Sequence, residues 1–128
     1  MALGTIYRDA KIFTKAEKYF RKAYEADLLA NDSIQKPYIE SGYNLAQVTI
    51  DNGSNLKTGM DIVNKNLETD PENSLFLGLK GWGLFKQGNY SEALRYLKMS
   101  DQKSLYLDFE VNQHIQEVEK AIADQKHR

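Results

Sequence analysis

Apolar side chains recur at three- and four-residue intervals along most of this chain, and no clear run alternates for more than a few residues. That spacing predicts amphipathic helices rather than strands. Seven are expected. The first covers about 1–10. The second starts at Thr14, where TKAE reads as a capping box with Glu17 reaching back, and continues to about Ala30. The third runs from near Pro37, a residue suited to a first helical turn, to Asp51, and the fourth from about Asn55 to Thr69. The fifth starts after Asp70 and Pro71 and ends near Gln87, where Gly88 suits the left-handed residue that often closes a helix. Asn89 then caps the sixth, with Glu92 three residues on. The seventh covers about 108–124, with Val111, Ile115, Val118 and Ile122 in one apolar stripe. Leu105, Leu107 and Phe109 alternate just before it and predict an extended connector.

The fifth segment carries an anomaly. GLKGWGLFKQG holds four glycines, and each glycine inside a helix costs about 1 kcal/mol relative to alanine. Comparison with two other stretches supplies a reason for some of them. LGTIYRDAKIFTKAEKYFRKA, LAQVTIDNGSNLKTGMDIV and KGWGLFKQGNYSEALRYLKMS each hold an early small residue: Gly4, Ala46 and Gly81. A second small residue, Ala16, Gly59 or Ala93, follows after 12, 13 and 12 positions. Four residues further on stands a large apolar one: Phe20, Val63 and Leu97. Gly59 and Ala93 are 34 residues apart.

This pattern resembles the tetratricopeptide repeat family, helical hairpins with L-G-x2-Y on the first helix, then A-x3-F and a proline. Leu3, Gly4 and Tyr7 match the first part, and Ala16, Phe20 and Ala23 the second. Gly81, Gly88, Tyr90, Ala93 and Leu97 fit in the third unit, where Lys80 and Leu84 replace the usual leucine and tyrosine. The second unit is the most divergent, with Thr49 for tyrosine and Gly59 for alanine, although Pro71 fits its terminal proline. About eight residues near NDSIQKPY separate units one and two. The stretch GWGLFKQGNYSEAL is closer to bacterial members of the family than to eukaryotic ones.

The resemblance implies an all-α solenoid of three hairpins, at about 1–30, 39–72 and 74–103, closed by a capping helix at about 108–124, the whole forming one repeat domain over 1–128. The first helix of this family begins several residues before the position of Leu3, so the chain is expected to be the C-terminal repeat region of a longer protein. Small side chains let paired helices approach, which gives Gly81 a packing role against Ala93 and Gly88 a turn role. Gly78 and Gly83 have neither in the family pattern. They are either neutral or lower the wall beside a ligand.

In this family the first helix of each hairpin lines a concave groove. Carried over, the lining would be Thr5, Arg8 and Asp9 in unit one, Tyr43, Gln47, Ile50 and Asp51 in unit two, and Gly78, Trp82, Phe85 and Lys86 in unit three. Trp82, Phe85 and Tyr43 would be the anchors of a bound peptide or helix. The other reading of Trp82 is as core, packed against the seventh helix or a neighbouring hairpin. The carboxylate clamp of one subgroup is not matched: Asn44 stands at one of its five positions, and Met1, Thr5, Leu75 and Leu79 at the others. Without cationic donors there, an acidic chaperone tail is rejected as partner.

Composition narrows the remaining classes. Seventeen basic against eighteen acidic residues leave a net charge of -1, so no global field favours nucleic acid or an anionic membrane. The row Lys11, Lys15, Lys18 and Lys22 reads first as a solvated face. No apolar run is long enough to span a bilayer, and MALGTIYRDAKIF lacks the pattern of a signal peptide. The cytoplasm and the periplasm both stay open. Cysteine is absent, and the two histidines, His114 on the polar side of the last helix and His127 near the chain end, make no metal-ligand pair. No catalytic residue, metal or cofactor is assigned. The expected function is a non-catalytic protein-binding scaffold. The alternatives are a structural spacer or self-assembly module, and a regulatory arm of a larger protein.

Overall fold

The computed structural model describes residues 13–30, 39–53, 55–105 and 107–126. Among them are six helices: α1 (Phe13–Ala30), α2 (Ile39–Asn52), α3 (Leu56–Thr69), α4 (Ser74–Lys86), α5 (Tyr90–Lys103) and α6 (Phe109–Lys126). The described residues are therefore all-α. The helix expected over 1–10 lies outside them, as does Pro37. Contacts sort into two compact units, Met1–Ile62 and Val63–Arg128.

In the first unit α1 packs on α2. Ala16 and Phe20 are buried. Gly42 leaves room for the Tyr24 ring, whose Cε1 would lie 3.2 Å from a Cβ at that position. Thr14 does not cap α1. It lies inside the helix, and the Glu17 carboxylate accepts instead from Arg21 and from Asn55 Nδ2, at 3.0 and 2.9 Å. The capping box fails because the helix already includes Phe13, one residue ahead of its proposed start. The next helix pair meets at Gly59, where a Cβ would run into the Thr49 hydroxyl and approach Ile50 Cγ1 to 2.8 Å and the Ala46 carbonyl oxygen to 3.1 Å. The small pair Ala46 and Gly59 is thus a point of close helix approach, as the sequence predicts.

The second unit is built on the α4–α5 hairpin. Asn73 caps α4, its side-chain oxygen accepting from the Leu75 and Phe76 amides at 3.0 and 3.3 Å. The helix ends in a Schellman turn. Gly88 sits at φ +85°, its amide donates to the Phe85 carbonyl, and the Asn89 amide donates to the Leu84 carbonyl, each at 2.9 Å. Asn89 stands at the start of α5, yet its side chain makes no capping bond, and Glu92 pairs with Arg95. The turn before α5, rather than a capping box, sets its start.

Gly81 faces α5 so closely that a Cβ would lie 2.7 Å from Leu97 Cγ and 2.9 Å from the Ala93 carbonyl oxygen. Gly78 also has a packing role, contrary to both readings drawn from the family pattern. A Cβ there would meet Ser100 Oγ at 3.0 Å and Val111 Cγ2 at 3.1 Å, so the glycine is where α4, α5 and α6 converge. Ser100 adds a 2.7 Å bond from its hydroxyl to the Ser74 carbonyl. The α6 stripe is as expected: Val111 and Val118 are buried with Ala93 and Leu97, and Ile115 and Ile122 pack against that cluster.

Candidate functional site

Three of the proposed groove residues come together on α4. The Trp82 and Phe85 rings stack with centroids 5.0 Å apart, and Lys86 Nζ lies 5.1 Å from the Trp82 ring. Their spacing i, i+3, i+4 on one helix makes them neighbours. That face is not open. The imidazole of His114 on α6 lies on the indole, centroids 3.5 Å apart and planes 2° from parallel. Trp82 is only 8% exposed, so the reading in which it packs against the last helix is the one observed. Phe85 continues the row to Tyr90, 5.2 Å away, and both are half-buried beside Leu97 and Val118. Lys86 is exposed.

The residues proposed on α2 lie in the first unit. Ile50 is fully buried with Cγ1 beside Gly59, and Gln47 is buried too, so both serve the interior there. Tyr43 is half-buried. Thr5 and Arg8 lie outside the described residues.

Two features of the second unit differ from what the sequence suggests. His114 does not sit on the polar side of α6. It stands three residues after Val111 and four before Val118, so it is in phase with the apolar stripe, and that spacing was the available signal. The other is a cleft of about 460 Å³ between the α4–α5 turn and the end of α6, lined by Gly88, Asn89, Tyr90, Ser91, Ile122, Gln125 and Lys126. It forms because α6 runs antiparallel to α5 and reaches the hairpin turn.

Elsewhere on the hairpin the Tyr96 ring has Lys80 Nζ 5.0 Å and the Arg95 guanidinium 4.6 Å from its centre. Lys80 also donates to Asn64 at 2.8 Å. Hydrogen bonding to Glu92 raises the Arg95 pKa above its ordinary value. On α1 the basic row is exposed at Lys15, Lys18 and Lys22, while Lys11 lies outside the described residues. No cluster of His, Asp and Glu among the described residues is arranged to hold a metal ion. None of the described helices is long and apolar enough to cross a membrane. No protein-family model and no curated protein matches this chain.

Proposed function

We propose that the chain is a non-catalytic scaffold of tetratricopeptide-like hairpins that binds a peptide or helix of another protein. The observation that carries this reading is the recurrence of one contact. Gly59 lies against the backbone of Ala46, 13 positions away, and Gly81 against that of Ala93, 12 positions away. Helix pairs repeated in this way stack into extended surfaces, and proteins so built bind partners through them. Of the proposed groove residues, exposed Lys86 and half-buried Phe85 on α4 and half-buried Tyr43 on α2 remain accessible.

The test is capture from an extract with wild type, Lys86→Glu and Tyr43→Ala side by side, after circular dichroism shows equal helix content. A protein retained by wild type and weakened at least about tenfold by either substitution, roughly 1.4 kcal/mol, supports a scaffold working through these faces. Retention of nothing, or equal retention by all three, overturns it and favours a spacer.

A further inference from the structure

We propose that this chain exchanges its last helix, α6, with a second copy of itself. The inference is independent of the scaffold reading and begins with the reversal between α5 and α6. The chain turns after α2 at Gly53, with φ +76°, and after α4 at Gly88, with φ +85°. Pro71 lies between α3 and α4. After Gly88 there is no glycine or proline at all, and the α5–α6 connector is Ser-Leu-Tyr-Leu-Asp. Leucine is a good helix former and tyrosine a tolerable one; the local signal for a new helix is Asp108, whose carboxylate accepts from the Val111 amide at 3.2 Å, and no turn residue obliges the chain to reverse.

The turn also leaves apolar surface in water. Leu105 is 96% exposed, the highest value among the described large apolar side chains, and Leu107 and Phe109 are 62% and 78% exposed. Folded back, α6 runs antiparallel to α5. Asn112 near its start bonds to Asp101 near the end of α5, while Ile122 near its end lines the cleft beside Tyr90.

The periodicity does not break at the connector. From Ala93 through Leu97, Ser100, Ser104 and Leu107 to Val111 the steps are 4, 3, 4, 3 and 4, and Val111 begins the α6 stripe. If the connector were helical, α5 and α6 would form one helix about 55 Å long with a single continuous seam. Its distal half could not reach its own α4–α5 hairpin. It would instead lie on the hairpin of a second copy, which would return its own α6 in the same way. Every contact of α6 with the hairpin, including His114 on Trp82 and Val111 on Gly78, is then remade between chains, and the Asp108 cap is exchanged for bonds within the longer helix. What the exchange adds is the connector: Leu107 enters the seam, and Leu105 and Phe109, four residues apart, share one face beside their symmetry mates.

The experiment uses the full chain, unfolded in denaturant and refolded at millimolar concentration so that exchange is not blocked kinetically. One preparation carries Asp101→Cys and another Asn112→Cys, positions whose side chains touch in the structure. Equal amounts are refolded together, sized by light scattering, and the dimer fraction is oxidised. The expected result is a dimer in which the two different chains become disulfide-linked, since the thiol at position 101 of one chain faces the thiol at position 112 of the other only if α6 has crossed over. Leu105→Gly with Leu107→Gly, at two exposed positions, should raise the dimer dissociation constant at least about tenfold without changing monomer helix content, because glycine disfavours the bridging helix. A chain that stays monomeric at every concentration overturns the proposal. So does a dimer that forms no disulfide between the two chains, which would be surface association with α6 kept in place.

Discussion

His114 lies flat on Trp82, with ring centroids 3.5 Å apart, and this contact joins α6 to the aromatic row of α4. The indole is 8% exposed and also stacks on Phe85. Trp82→Ala should therefore cost about 3–5 kcal/mol of stability, the range for emptying a buried aromatic site. His114→Ala removes one partner of the stack and should cost about 1 kcal/mol. Urea unfolding of both variants measures this. A Trp82→Ala protein within about 1 kcal/mol of wild type, the scale of a surface change, would mean that the ring does not support the core.

The same geometry supplies an optical readout. Trp82 is the single tryptophan, so all indole emission reports one site. The imidazole covers one face of that indole, so His114→Ala should move the emission maximum to longer wavelength while the far-ultraviolet dichroism stays constant. An unmoved maximum would mean that the imidazole does not shield the indole from water.

Gly81→Ala should destabilise the chain although alanine is the better helix former. The propensity gain is about 1 kcal/mol. Against it stands a Cβ 2.9 Å from the Ala93 carbonyl oxygen and 3.0 Å from the Leu97 amide nitrogen. These are backbone atoms, which move only if the helices separate, and overpacking of this kind costs about 1–3 kcal/mol. A net loss of about 1–2 kcal/mol is expected in chemical denaturation, and a gain would show that the hairpin is looser than its contacts indicate.

What could be read in the sequence followed from side-chain volume and period. Gly81 opposite Ala93, Gly59 opposite Ala46 and the α6 stripe through Val111 and Val118 are each small or apolar residues at helical spacing, and the structure has them as expected. What could not be read depended on choices between equally available partners. Glu17 can reach back to a capped amide or forward to Arg21, and the forward bond forms. Glu92 likewise pairs with Arg95 rather than closing a box with Asn89. Trp82 at helical spacing fits a groove wall and a core equally well, and only the placement of α6 decides between them. Gly78 was opaque for a related reason: its neighbours Ser100 and Val111 are 22 and 33 residues away and no two-helix pattern includes both.

Ser41→Ala should stabilise the protein. The Ser41 side chain is fully buried in α2 and its hydroxyl has no hydrogen-bond partner among the described residues. A buried unsatisfied polar group carries a desolvation penalty of about 1–3 kcal/mol, and alanine is in addition the better helix former. A gain of about 1 kcal/mol in thermal or urea unfolding is expected. A loss instead would reveal a hydrogen bond made by that hydroxyl in solution.

Tyr24 gives stability a dependence on alkaline pH. Burial raises its phenol above the ordinary value of 10.0, and the ring lies against Gly42, so the charged form is disfavoured in the folded state. The sign follows from proton binding. Between the unfolded and the folded pKa the native chain holds a proton that the unfolded chain has released, so raising the pH favours unfolding. The contribution is fully present below the unfolded value and is lost as pH rises through the folded one. Tyr24→Phe has no proton to lose there, so it should keep more of its neutral-pH stability than wild type does when unfolding is compared at about pH 9 and about pH 11, each roughly one unit either side of the ordinary phenol value. Lysine deprotonation affects both proteins alike and cancels in the difference. Parallel loss in the two would place the Tyr24 hydroxyl in water.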